Sequence, residues 1–232
     1  MKTMAWVAVG MLYVGSFTVG GLVSAQSSQW RPASSDDLNK YVHTHGSMKQ
    51  IAPIFSQLVL VSPPSNFRPV FEHLNNSGLS YIHESVPEGE STAQWTQMIT
   101  VTGVKGLASR LNITPQFLAA DLAKRFDTAC PASFSDLNLG EVQLSGAYGY
   151  AMVASCGTVT ADGSTHSEST LILEIRGSSD DYSVQWAVRG PASAQPIALD
   201  EAAWRARLQG LQPIKLCPMV PGEQMPYPSC TG

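Results

Sequence analysis

The stretch Tyr148-Gly149-Tyr150-Ala151-Met152-Val153-Ala154, followed by Ser169-Thr170-Leu171-Ile172-Leu173-Glu174-Ile175 and Tyr182-Ser183-Val184-Gln185-Trp186-Ala187-Val188, decides the fold of this chain. Successive side chains of a strand point to opposite faces, so apolar residues recurring at every second position mark a strand laid against a core. Tyr148, Tyr150, Met152 and Ala154 share one face of the first segment. Ser169, Leu171, Leu173 and Ile175 share one face of the second, and Tyr182, Val184, Trp186 and Val188 one face of the third. Turn chemistry separates them at Asp162-Gly163 and at Gly177-Ser178-Ser179-Asp180, and three strands joined by short turns predict an antiparallel meander.

Working outward, Thr114-Pro115 supplies an N-cap and a proline at the first helical position, and Leu118, Leu122 and Phe126 then recur every four residues up to Cys130-Pro131. A second helix starts at Asp200, places Trp204, Leu208 and Leu211 on one stripe and stops at Gly210. Upstream, Leu58-Val59-Leu60-Val61 reads as a strand stopped by Pro63-Pro64, and residues 79–86 and 98–102 as two more. Ser91-Thr92-Ala93-Gln94 has the form of a capping box, predicting a short helical turn that carries Trp95. Ser35-Asp36-Asp37 suits the start of a helix over 36–48. With no alternation of strand and helix, the order predicts an α+β fold: a single antiparallel β-sheet with helices packed on one face.

The start of the chain reads differently. Lys2 is followed by an apolar run to Val23 and by the small residues Val23-Ser24-Ala25, after which the chain turns polar. That is the charged, apolar and small-residue pattern of a signal peptide cleaved after Ala25. The predicted organisation is therefore a signal peptide at 1–25, an irregular or partly helical segment at 26–57, an α+β domain at 58–217 and a Pro-rich tail at 218–232. A membrane anchor is the competing reading, and the glycines of the run and its small-residue exit argue against it.

Charged residues make up 14% of the chain and the net charge is −4, which leaves no basic face for nucleic acid. No second apolar run approaches spanning length, so the mature chain is expected to have no membrane partner. All four cysteines, Cys130, Cys156, Cys217 and Cys230, lie in the exported part. An even count in an oxidising compartment predicts two disulfides. Three connectivities are open; Cys130 with Cys156 and Cys217 with Cys230 is favoured because each closes a modest loop. Zinc would need tighter cysteine spacings.

The residues announce no chemistry. There is no G-x-S-x-G elbow, H-E-x-x-H, P-loop or G-x-G-x-x-G opening a helix, and no cofactor is expected. His43-Thr44-His45 reads as an exposed loop pair. His166 and Glu168, beside Asp162, suggest weak cation recruitment, but a solvated turn is preferred. Glu88 and Glu90 read as acceptors for the amides that follow them, and Trp95, Trp186 and Trp204 as core residues.

The segment Val86-Pro87-Glu88-Gly89-Glu90, with Trp95 and Met98-Ile99-Thr100-Val101 after it, resembles one in small uncharacterised exported bacterial proteins. The likeness runs from about Leu79 to Leu216-Cys217 and includes Tyr182-Ser183-Val184-Gln185. It marks Pro87, Gly89, Glu90 and Trp95 as a structural motif with no known chemistry. More distantly, the order of strands and helices is similar to that of PsbP-like α/β sandwich proteins, a fold whose members mostly bind or assemble other proteins.

The reading so far is a periplasmic or secreted, non-enzymatic binding or accessory protein, with an envelope or secreted protein as partner. The alternatives are a hydrolase of unrecognised type and a small-ligand carrier using the sheet near Tyr148, Tyr150 and Trp186. If the leader reading is right, N-terminal sequencing of the exported protein starts at Gln26, and a start at Met1 would refute it.

Overall fold

The computed structural model describes residues 46–232 apart from Asp162. The predicted signal peptide and His43-Thr44-His45 lie outside the described residues, as does most of the helix predicted over 36–48. Its described end, residues 46–48, is not helical.

Seven strands form the main sheet in the order β3-β4-β5-β9-β8-β7-β6: β3 (Phe67–Leu74), β4 (Ser80–Pro87), β5 (Gln97–Val104), β6 (Phe134–Leu144), β7 (Ala147–Ala161), β8 (Ser164–Arg176) and β9 (Asp181–Gly190). Every neighbouring pair is antiparallel. The meander predicted from 148–188 is β7-β8-β9, and β9 joins it to the upstream hairpins through β5. A second sheet of three strands, ordered β1-β2-β10, is built from β1 (Gln50–Ile54), β2 (Gln57–Val61) and β10 (Lys215–Pro218).

Two helices complete the sandwich. In α1 (Pro115–Ala129), the Thr114 hydroxyl accepts the Phe117 amide at 3.1 Å. In α2 (Glu201–Gly210), the Asp200 carboxylate accepts the Ala203 amide at 3.2 Å. Each cap satisfies an amide that the first helical turn leaves without a partner.

Two features of the expected fold are corrected. There are two sheets rather than one, and the helices lie on both faces of the larger. Alternation along β8 shows the second point: Ile172 packs with Leu122 and Phe126 of α1, whereas Leu171, Leu173 and Ile175 pack with Trp204 and Leu208 of α2 and with Val59 and Val61 of β2. The central strands are buried on both faces, so both sides need a cover. The second buried face carries Thr170 and Glu174 of β8 and Ser183 and Gln185 of β9, so the alternation reads as one apolar face and one solvated face.

The small sheet is also buried on both sides. Val59 and Val61 face the main core, and Leu58 and Leu60 pack outward against Cys217, Cys230 and Tyr227. The strand β10 thus comes just before the Pro-rich tail, and the tail folds back as a cover, closing with the helical turn α3 (Pro228–Thr231). Strands β3 and β6 escaped the sequence reading for a shared reason. Both are edges of the sheet with half-exposed, polar faces and a register shift, and β3 also contains Pro69, a residue confined to edges and bulges.

Two disulfides join Cys130 to Cys156 and Cys217 to Cys230. The first ties the end of α1 to β7. In the chain-entropy account a loop of this separation, 26 residues, contributes about 3.5 kcal/mol. The double variant Cys130→Ala/Cys156→Ala should therefore lose about 3 kcal/mol in urea unfolding while keeping the β-rich far-UV spectrum; an unchanged midpoint would refute the estimate.

Candidate functional site

The small sheet does not close completely onto the large one. Between β1 and β2 on one side and β3, β4 and β5 on the other lies a cleft of about 480 Å³. Its floor is the buried Ile54, Val59, Val61, Phe67 and Val101, with Ile51 and Ala52 on the wall. Met48, Gln50, Arg68, Pro69, Tyr81 and His83 form the more exposed rim.

Three contacts hold the small sheet at this distance. Asp180, in the turn before β9, accepts the Ser56 amide (3.1 Å) and hydroxyl (2.5 Å) with one carboxylate oxygen and the Gly106 amide (2.7 Å) with the other. Burial pushes its pKa up, but these donors overcome that and hold it below the usual carboxylate range. The Tyr182 hydroxyl donates to the Ile54 carbonyl at 3.0 Å. At Gly103 a Cβ would meet the Ile54 side chain at 2.7 Å, so glycine is what lets β1 approach β5.

Three polar side chains of the rim bond to neighbouring groups. The Tyr81 hydroxyl donates to Glu72 at 2.7 Å, and burial first, then Glu72, raises its pKa well above the ordinary tyrosine value. His83 sits 3.2 Å from the Ser85 hydroxyl, and burial lowers its pKa against the opposing pull of Glu72. Arg68 donates to the Ser65 and Phe67 carbonyls and pairs with Glu88 at 3.3 Å. The cleft is therefore an apolar trough with a hydrogen-bonded rim.

A shallower groove of about 590 Å³ opens near the predicted structural motif, between the loop from Gly89 to Thr96 and the end of the β7–β8 hairpin. Glu90 closes that loop, accepting the Thr96 amide and hydroxyl at 2.7 Å each. The predicted helical turn is absent. The Ser91 hydroxyl does accept the Gln94 amide, but the return bond runs from the Ser91 amide to the Gln94 main-chain carbonyl instead of its side chain. Pro87 ends β4, Gly89 takes a positive φ of 90° in the turn after it, and Trp95 is buried beneath the Arg189 guanidinium, 3.7 Å from the ring centroid. Cation and ring attract at this distance.

His166 and Glu168 do not form a solvated turn. The β7–β8 ladder extends to Ala161 and Ser164, which places both residues within it, and both are buried. Glu168 accepts from Arg189 Nε at 3.4 Å, and His166 Nε2 lies 3.7 Å from the same carboxylate. The Ser164 hydroxyl is 3.4 Å from His166 Nδ1. Hydroxyl, imidazole and carboxylate thus stand in line on one strand face, but the carboxylate is engaged by Arg189 and is beyond hydrogen-bond reach of the imidazole, so the set is an ion cluster. Among the described residues no three His, Cys, Asp or Glu side chains gather as a metal group, and no helix is long and apolar enough to cross a membrane.

The carrier site imagined near Tyr148, Tyr150 and Trp186 is not assembled. Tyr150 packs under α1, whereas Trp186 is buried in the core on the opposite side of the sheet. There Trp186 donates to Gln97 at 2.9 Å, with the Arg207 guanidinium 4.4 Å from its ring centroid. The cleft was missed because its two walls come from segments far apart in the chain, one of them the unassigned strand β3.

No family model matches the chain and no curated protein matches it. Among solved structures, LpqN of Mycobacterium tuberculosis, described as involved in cell envelope biogenesis, is similar over 79% of this chain and 96% of its own, with 10% identity and a TM-score of 0.37. The Ran-binding protein Mog1p of Saccharomyces cerevisiae is similar over 71% of this chain and 91% of its own, with 13% identity and a TM-score of 0.40. Likenesses this distant carry nothing about ligand or activity.

One buried acid outside both clefts sets a pH dependence. Glu174, on the α1 face of β8, has its pKa pushed up to about 8, by burial first and by Asp181, against the Ser183 hydrogen bond and Arg125. An unfolded glutamate titrates near 4.3. Below that pH both states hold the proton; from there to about 8 only the folded state does, so stability falls as pH rises through this window. Glu174→Gln should flatten the decline in Tm between pH 5 and 8 and leave the variant the more stable protein at pH 8. An undiminished slope would refute this.

Proposed function

We propose that this protein is an extracytoplasmic, non-enzymatic binding protein that holds a small, largely apolar molecule in the cleft between its two sheets. The cleft carries the reading: about 480 Å³ with an apolar floor and a few polar groups at the rim, within the size and character of ligand sites. Arg68, Tyr81 and His83 at the rim each bond a neighbouring group, an arrangement suited to holding a ligand rather than turning one over. Two closed disulfides, with no free cysteine among the described residues, fit an oxidising compartment, as does the signal-peptide pattern of residues 1–25. The small-ligand reading thus moves ahead of an envelope protein as the bound partner, and to a different face from the one expected.

Ala52 is half-buried on the cleft wall, where a larger side chain would fill the space. Wild-type protein should enhance the fluorescence of N-phenyl-1-naphthylamine saturably, and Ala52→Phe should bind the probe at least about tenfold more weakly with its Tm within a few degrees of wild type. No saturable binding by the wild type, or an unaffected variant, would sink the proposal.

A further inference from the structure

We infer that the occupant of the cleft is a single-chain amphiphile with an uncharged head, such as a fatty alcohol or a monoacylglycerol; the inference rests on the binding reading above. Size and charge carry it independently.

The volume of about 480 Å³ equals about sixteen waters at about 30 Å³ each. A single chain of about a dozen carbons fills such a space, and a two-chain lipid exceeds it. The floor of Ile54, Val59, Val61, Phe67 and Val101 has no polar side chain, so the chain end belongs there and the head at the rim.

Among the described residues, the rim has no cation to spare for an acidic head. Arg68 is engaged by two carbonyls and by Glu88. Lys49, next to Gln50 in the chain, donates to the Thr231 carbonyl at 3.0 Å. His83, opposite Glu72 in the β3–β4 ladder, is kept toward its neutral form by burial. Glu72 itself, held to Tyr81, adds negative charge beside the cleft. A carboxylate head would meet this charge and leave its water without a partner, at a net cost. A cationic head would find no carboxylate among the described residues lining the cleft to replace its water, and Glu72 beside it is already engaged by Tyr81. An alcohol or ester needs only the uncharged donors and acceptors present, the Gln50 amide, the Tyr81 oxygen and the His83 ring among them.

The test is calorimetric titration of the exported chain at pH 7.5 with three ligands of equal tail length below their aggregation concentrations: monolauroylglycerol, laurate and dodecylamine. Monolauroylglycerol should bind at least about tenfold more tightly than either charged ligand. Glu72→Gln should tighten laurate several-fold and leave monolauroylglycerol unchanged; this surface substitution leaves the core intact. Laurate or dodecylamine binding as tightly as monolauroylglycerol would overturn the inference, as would a Glu72→Gln variant that weakens all three alike. If none of the three binds while the naphthylamine probe still does, the ligand class is wrong and the cleft reading stands. If the probe also fails, the cleft reading itself falls.

Discussion

The constraint on which the structure depends is that β8 and its neighbours are buried on both faces. Leu171, Leu173 and Ile175 on one side and Ile172 on the other are all inaccessible to water. Burying a large aliphatic side chain contributes about 1.5–3 kcal/mol, and a single-sided cover would forfeit that for half of the strand. Two covers are therefore required. One is α1, tied to β7 by the Cys130–Cys156 disulfide. The other is composite: α2, whose Arg207 guanidinium lies against the rings of Trp186 and Trp204, and the small sheet β1-β2-β10.

A composite cover leaves a seam, and the seam is where binding becomes available. The small sheet is pinned at one end, where Asp180 collects the donors of Ser56 and Gly106 and Tyr182 reaches the Ile54 carbonyl. The β3–β4 hairpin that faces it is exposed along most of β3 and half-exposed over the first half of β4, so it offers little apolar surface to draw β1 down. The cleft is the space left between a tightly anchored corner and an edge hairpin that does not need covering. The second groove has a different character: charged side chains, Glu90 and Arg189, stand in its walls, and Arg189 is held there over Trp95 and against Glu168.

Particular elements show what could be read in advance. The meander of β7, β8 and β9, both helices with their caps at Thr114 and Asp200, and the favoured cysteine pairing all follow from local periodicity, local capping chemistry or loop length, and all are present. Strands β3 and β6 were not read, because an edge strand carries polar residues on its open face and loses the alternation that announces it. His166 and Glu168 looked like a solvated turn because a hairpin's length is set by pairing with Val159 and Cys156, which composition does not express.

The sequence by itself determined the three strands of the meander, the two capped helices, which cysteines stand close enough to close modest loops, and that the chain carries little charge. These depend on residues within a few positions of one another, or on composition. Only the tertiary structure decided that the large sheet has two covered faces, that the C-terminal strand β10 returns to β2 and that Ala52, Val101 and Tyr81 line one space. Each of these joins segments with no shared local pattern, and their meeting is set by how all the apolar faces are buried at once.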